Sequence, residues 1–148
     1  SLESLEIMRF CGKHISKHSG AGLIIDYGYD IEPMKRKRNQ YTSTLQAIKN
    51  HQYHSVISSL GEADLTAHVD FNALKKAGAE QGVNQHNSKI CTQQEFLVNY
   101  GIEIRLASLQ QKVSKEEADI LNRQVFRLTG PQQMGELFKV LEIYVDLQ

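Results

Sequence analysis

A short apolar run, Leu23-Ile24-Ile25, is the feature that most constrains the fold of this chain. Gly20 and Gly22 precede the run, and Asp26 follows it directly. A continuous apolar run of this length between turn-forming residues is typical of a strand that is buried on both faces, as in a parallel sheet. Residues 2–18 before it carry apolar side chains at helical spacing. The order helix, glycine turn and buried strand therefore predicts an α/β fold.

Capping signals predict the helices that follow. Asp70 is a good N-cap for a helix over about 71–80, with Gly82 as its terminator. Thr92 with Glu95 forms a capping box that opens a helix ended by Gly101. A second capping box, Ser114 with Glu117, opens a helix that Gly130-Pro131 ends. The residues 42–44 predict a cap for a short helix through Asn50.

Strands are fewer in the sequence than helices. Residues 137–145, rich in branched and aromatic side chains, form the strongest strand candidate, and residues 83–91 are a weaker one. With the run at Leu23 this predicts about three strands. Three strands make a thin sheet for so much helix, which suggests that more sheet exists in an upstream part or in a partner chain.

The bulk composition fits a single ordinary domain over residues 1–148. The formal net charge is zero, which argues against a general attraction to nucleic acid or to anionic membranes. No apolar run approaches the roughly 20 residues that a membrane span needs. The two cysteines form no CxxC motif, so a reducing cytosol or mitochondrial matrix is expected. The first residue is Ser rather than Met, which suggests a fragment or processing.

Asp26 and Tyr27 are candidate binding residues because they come at the end of the predicted buried strand. Ligands of open α/β sheets lie beyond the carboxyl ends of the strands. Asp26 could there pair with a guanidinium in a bidentate geometry. The alternative is a turn in which Asp26 caps local backbone and Gly28 supplies a positive φ.

The segment from Asp64 to Asp70 is the second candidate. Asp64, Thr66, His68 and Asp70 alternate, so an extended conformation would place all four on one face. Two carboxylates could hold a guanidinium, and His68 could accept a proton near neutral pH. The alternative is structural, with Asp70 as a helix cap, His68 as a hydrogen-bonded residue and Asp64 in a turn.

Two further patterns predict little. His14 with His18, and His51 with His54, have spacings that can chelate zinc, but neither pair has a third ligand at a telling spacing, so no metal site is predicted. The basic run from Lys35 to Arg38, near Tyr41, is interpreted as a solvated loop, or as a gate over a site, rather than a nucleic-acid surface.

Several segments, in order, resemble the MidA family of class I S-adenosylmethionine-dependent methyltransferases. The segments are GLIIDYGYD at 22–30, GEADLTAHVDF at 61–71, CTQQEFLVNYGI at 91–102 and MGELFKVL at 134–141. In the third, Gln94 replaces the glycine usual in the family's TQGEFL pattern. The family is similar to the mitochondrial methyltransferases that help to assemble respiratory complex I.

The resemblance implies the C-terminal part of a doubly wound, Rossmann-like methyltransferase sheet, with a helical insertion at about 92–128 between the last two strands. It implies Asp64 and His68 as candidate catalytic residues, and Asp26, Tyr27, Thr66, Asp70 and Gln93 as candidate substrate-binding residues. The implied acceptor is an arginine of a protein, with a complex I subunit as the candidate. S-adenosylmethionine is the implied cofactor of the whole enzyme, and the implied location is the cytoplasm, or the mitochondrial matrix in a eukaryote.

The family's glycine-rich cofactor loop has no counterpart here, since Gly20-Ala21-Gly22 precedes a strand instead of following one. We therefore expect the chain alone to be inactive and to bind the cofactor weakly or not at all. The alternative hypothesis is a non-catalytic protein-interaction module. Exposed sheet edges favour self-association, so a homo-oligomer is possible under either hypothesis.

Overall fold

The computed structural model describes residues 1–30, 44–50, 52–57 and 61–145. The basic run at Lys35–Arg38, Tyr41 and His51 lie outside these residues. Helix α1 spans Leu2–His18 and is followed by β1, Gly20–Tyr29. The short strands β2, β3, β4 and β5 are Gln46–Lys49, Gln52–His54, Asp64–Thr66 and Val69–Asp70.

The second half alternates helices with the last two strands. Helix α2 is Phe71–Ala79, and β6, Ser88–Thr92, follows a short 3-10 turn. Four helices then intervene before the last strand, β7, at Phe138–Val145. They are α3 Gln93–Asn99, α4 Ile102–Gln110, α5 Lys115–Thr129 and α6 Met134–Leu137.

The main sheet has the strand order β5-β1-β7-β6. Strand β7 pairs antiparallel with β1 along Gly20–Tyr27 and antiparallel with β6 on its other side. Strand β5 pairs parallel with β1, but only at Gly28 and Tyr29. A second, three-stranded sheet has the order β3-β2-β4. The described residues thus contain two small sheets rather than the single thin one expected.

The core lies between the main sheet and helices α1 and α2. The two helices approach closely at Gly12 and Gly78, where a Cβ on Gly12 would lie 3.2 Å from the Gly78 Cα. Buried apolar side chains fill the space between helices and sheet: Met8, Ile15, Phe71, Leu74, Ala77, Val83, Leu141 and Ile143.

The opposite face of the main sheet is partly open. Leu23 and Ile25 are 54% and 48% exposed, whereas Ile24 between them packs against the core. The prediction that this strand is buried on both faces is therefore wrong for the described residues. The physical reason is that α1 and α2 cover one face only, and side chains alternate between the faces.

The capping predictions at Asp70, Thr92 and Ser114 are confirmed, whereas the one at 42–44 is not. Asp70 Oδ1 accepts a hydrogen bond from Ala73 N at 3.0 Å at the start of α2. Thr92 and Glu95, and Ser114 and Glu117, form reciprocal capping boxes at α3 and α5. The antiparallel pair of the last two strands, with helices between them, is also found.

Two local predictions are corrected, and one helix was not predicted. The helix expected through Asn50 is the strand β2, because Ala47 and Ile48 pair with residues of both β3 and β4 and Ala47 is almost fully buried. Helix α4 has no side-chain cap to signal it, and the sequence did not predict it. Strand β1 continues to Tyr29, so Asp26 and Tyr27 lie within the strand and not beyond it.

Candidate functional site

The carboxyl end of β1 brings two predicted site residues into contact. The ring centroid of Tyr27 lies 5.7 Å from that of His68, with the rings nearly perpendicular. Tyr27 also makes an edge contact with Phe138, its cross-strand partner, at 5.8 Å. His68 lies in the segment between β4 and β5, and its backbone N–H donates to Thr44 Oγ1 at 3.2 Å. These contacts hold His68 between the two sheets.

Asp70 lies beside this cluster and has a structural role of its own. Its Oδ1 caps α2, and its Oδ2 accepts a hydrogen bond from the Tyr29 hydroxyl at 3.4 Å. Tyr29 and Asp70 are paired residues of the parallel strands β1 and β5. Sequence reasoning missed Tyr29, because its position opposite Asp70 depends on the pairing of distant segments.

A cavity of about 350 Å³ opens at this end of the sheet. Tyr29, Thr44, His68 and Asp70 line it, together with residues from the first turns of α1 and α2. A carboxylate, an imidazole and hydroxyl groups on one small cavity can form hydrogen bonds to a polar or cationic ligand.

Asp26 points to the other face of β1 from Tyr27, because successive side chains alternate. Its Oδ1 accepts a hydrogen bond from the Tyr27 backbone N–H at 2.7 Å. The predicted positive φ at Gly28 is wrong, since Gly28 is absent from the residues with that geometry. Glycine is required there for space: a Cβ would lie 2.3 Å from Val69 O.

The structure separates the four alternating residues from Asp64 to Asp70. Asp64 and Thr66 belong to β4 of the small sheet, opposite Ile48 and Gln46, whereas Asp70 belongs to β5 of the main sheet. Asp64 is exposed. The Thr66 hydroxyl is buried without a hydrogen-bond partner among the described residues. The single extended face that the alternation predicts is broken between Thr66 and Val69, where the chain leaves one sheet for the other.

Gln93 lies apart from this cavity. Its side chain is 7% exposed, and its Nε2 donates to Leu128 O at 2.8 Å. The amide therefore ties the start of α3 to the last turn of α5.

A polar cluster on the main sheet's open face was not predicted from the sequence. Glu142 Oε2 accepts a hydrogen bond from the Tyr100 hydroxyl at 2.9 Å, and Glu142 Oε1 accepts a weak one from Cys91 Sγ at 3.9 Å. Burial, with the negative charge of Glu142, raises the pKa of the Cys91 thiol. The hydrogen bond to Glu142 likewise raises the pKa of Tyr100. Both groups therefore stay protonated at neutral pH, and the Tyr100 hydroxyl ties the end of α3 to β7.

The described residues do not fit the cofactor that the resemblance implies. That site needs a glycine-rich turn between a strand and a helix N-terminus. Strands β5 and β6 run directly into α2 and α3 through Asp70 and Thr92, and neither junction contains glycine. The part of the chain that the structure describes also holds no group of three or more His, Cys, Asp or Glu residues able to bind a metal ion. None of its helices is long and apolar enough to cross a membrane.

Comparison with known proteins gives a consistent picture. A family model described as "Putative S-adenosyl-L-methionine-dependent methyltransferase" matches residues 1–89. The chain is 33% identical over 141 residues to "Protein arginine methyltransferase NDUFAF7, mitochondrial" of Danio rerio, covering 93% of this chain and 30% of that protein. The Drosophila melanogaster homolog of the same name is 33% identical over 144 residues, covering 97% and 31%.

The fold has solved counterparts in Burkholderia thailandensis. One is an uncharacterized protein with a TM-score of 0.76 and 28% identity, covering 95% of this chain and 36% of that one. Another protein of the same organism, solved with bound S-adenosyl-homocysteine, has a TM-score of 0.75 and 28% identity. The match covers 95% of this chain and 35% of that one. The chain thus spans about a third of each relative or less. Since the family model covers more than half of the chain, the chain is a member of this MidA-like methyltransferase family.

Proposed function

We propose that this chain is the acceptor-binding side of a protein arginine methyltransferase and the C-terminal part of its doubly wound, Rossmann-like sheet. One observation carries the proposal: Tyr27 contacts His68 at the carboxyl end of β1, and His68 shares a cavity with Asp70. Ligands of open α/β sheets bind at this end of the strands. The names of the relatives supply the class of reaction, arginine methylation.

The cavity suits a guanidinium. Asp70 supplies a carboxylate that the Tyr29 hydroxyl and the start of α2 hold in place. Carboxylates and aromatic rings are the groups that bind guanidinium best. In the proposal His68 accepts a proton from the acceptor nitrogen, and Tyr27 fixes the plane of the imidazole.

The other predicted residues have different places in the proposal. Asp26 lies on the other face of β1 from Tyr27, Thr66 lies in β4, and Asp64 would contact the acceptor protein from the exposed small sheet. Gln93 is left out, because its amide is committed to Leu128. We also propose that S-adenosylmethionine binds to parts of the enzyme beyond this chain, since the described residues lack the turn that would hold it.

The names of the relatives also suggest a location in the cell and an acceptor for the enzyme. They describe mitochondrial proteins, so a mitochondrial matrix location is proposed if the source is a eukaryote, and a cytoplasmic one otherwise. The acceptor is proposed to be a protein, with a subunit of respiratory complex I as the candidate.

Binding of a guanidinium to the purified chain tests the proposal directly. A short peptide containing arginine should shift the imidazole resonances of His68 in an NMR titration, and the same peptide with citrulline should not. His86, exposed in the 3-10 turn, serves as the internal control. Equal shifts with both peptides, or none at His68, would argue against the acceptor site.

A second candidate function, a non-catalytic interaction module, is favoured by the open face of the main sheet. A largely apolar cavity of about 480 Å³ lies there, lined by Leu23, Phe96, Tyr100 and Tyr144 among others. Methyl transfer by a longer polypeptide that includes the upstream region of the relatives would decide between the two. Loss of that transfer in Asp64→Asn or His68→Ala supports the enzyme, while undiminished transfer removes the altered residue from the site. Turnover by the 148-residue chain alone would contradict the proposed division of the enzyme.

A further inference from the structure

The outer face of α1 carries an apolar centre that nothing in the described residues covers. Phe10 and Ile7 are 73% and 64% exposed. Phe10 lies opposite Met8, Gly12 and Ile15, the buried residues of the helix, and Ile7 lies on the side of the helix next to it. At about 100° per residue, Phe10 lies close to the middle of the solvent-facing side. Aromatic residues such as Phe are enriched at protein–protein interfaces relative to the rest of the surface.

The charges around Phe10 divide the helix into two halves. Glu3 and Glu6 precede it, and Lys13 and Lys17 follow it on the same side of the helix. Arg9 is not part of this pattern, because its guanidinium pairs with Glu80 of α2 at 3.0 Å. The outer face is therefore acidic at its N-terminal end, apolar at its centre and basic at its C-terminal end.

The charge pattern of this face is complementary to that of a second α1 helix running in the opposite direction. We propose that a second copy of this chain packs on the outer face of α1, so that the two α1 helices run antiparallel across a twofold axis near Phe10. The two Phe10 rings then meet at the axis. Glu6 of each copy lies opposite Lys13 of the other, and Glu3 opposite Lys17. An isologous contact repeats each pair twice, as twofold symmetry requires.

The charge pattern favours a second copy over another partner. A uniformly acidic or basic surface would be repelled by one half of this face, whereas the reversed helix matches both halves. The close contact of α1 with α2 at Gly12 and Gly78 also fixes the inner face. The outer face is thus presented by a rigid helix, which lowers the cost of association.

Sedimentation equilibrium of the purified chain over a wide concentration range tests the proposal. We expect a species of twice the 16.8 kDa chain mass. Phe10→Glu, which places two carboxylates at the axis, should raise the dissociation constant by about tenfold or more. Glu6→Lys and Lys13→Glu should each raise it by about tenfold, because each creates two like-charge contacts.

The double variant Glu6→Lys/Lys13→Glu supplies the decisive comparison. It exchanges the charges and should return the dissociation constant to within about threefold of the original value. The matched controls are Glu103→Lys and Lys112→Glu, at exposed positions outside α1. They should leave the dissociation constant unchanged. Circular dichroism would verify that each variant is folded.

Three outcomes would overturn the proposal. The first is a chain that remains a monomer at every concentration. The second is a dimer that neither Phe10→Glu nor Glu6→Lys weakens, which would put the interface elsewhere, with the open face of the main sheet as the next candidate. The third is a dimer that both single variants weaken and the double variant does not restore, which would show that Glu6 and Lys13 do not meet.

Discussion

Gly28 shows how a single residue joins the fold to the candidate site. Strand β1 passes so close to β5 that a Cβ at this position would lie 2.3 Å from Val69 O and 2.8 Å from the Phe71 ring. The sequence suggested a turn here, because Asp26 could cap local backbone and Gly28 could supply a positive φ. Glycine is needed at this position because β5, some forty residues away in the sequence, approaches β1 closely. Local patterns cannot reveal such an approach.

Replacing Gly28 by alanine should therefore destabilise the chain and disturb the site together. We expect a loss of about 1–3 kcal/mol in the free energy of unfolding, because overpacking forces the backbone of β5 to move. Urea unfolding would measure the loss, and the NMR signals of His68 would report the displacement. A variant as stable as the original, with unchanged His68 signals, would mean that β5 does not lie against β1 as described.

Capping residues correctly predicted the helices that they begin, whereas elements without a local signal were predicted wrongly or not at all. Asp70, Thr92 and Ser114 each cap the helix predicted for them, because a cap depends only on residues within one turn. Strand β2 was mistaken for a helix, because its conformation depends on pairing with β3 and β4. Helix α4 begins at Gly101 without a side-chain cap, so nothing nearby marks it.

The capping box of α3 should contribute stability that depends on pH. Glu95 accepts the Thr92 backbone N–H at 2.9 Å, and this hydrogen bond lowers the pKa of the Glu95 carboxyl below its ordinary value of 4.5. Because the folded pKa is the lower one, the stabilisation is complete above the ordinary value and is lost as the pH falls through the folded value. Thr92→Ala should cost about 1 kcal/mol at neutral pH.

The matched variant for this element is Glu95→Ala. Its stability deficit, measured by thermal unfolding, should shrink as the pH is lowered below 4.5. Ser114→Ala provides an independent capping box for comparison at α5. A deficit of Glu95→Ala that stays constant, or grows, in acid would contradict the assigned role of the carboxylate.

At the scale of the whole molecule, the sequence predicted the class of fold and the order of its larger parts. The helix before β1, the strand itself and the last strand are found where expected. The apolar run of β1 correctly predicted a strand. Whether one or both faces of that strand are covered depends on which helices pack against the sheet. Of the candidate site residues, Tyr27 and His68 lie in contact, whereas Asp64 lies in the small sheet, because the sequence pattern does not show which segments pair.

The unequal covering of the two sheet faces predicts unequal effects of substitution. Leu141 is fully buried beneath α1 and α2, so Leu141→Ala should cost about 2–5 kcal/mol. Leu23 is 54% exposed, and Leu23→Ala should cost clearly less in the isolated chain. Chemical denaturation of the two variants gives the comparison. Equal losses would show that the open face is covered in solution, for instance by another copy of the chain.

The strand order has a consequence for how the protein is made. Strand β7 lies between β1 and β6, yet it is synthesised after both of them. During translation β1 and β6 therefore emerge before β7, the strand that hydrogen-bonds to both of them. The four helices between β6 and β7 are also synthesised before the two strands can be joined. Final assembly of the sheet must wait until β7 has been synthesised. A ribosome that stalls before Phe138 would leave two unjoined strands for chaperones to shield.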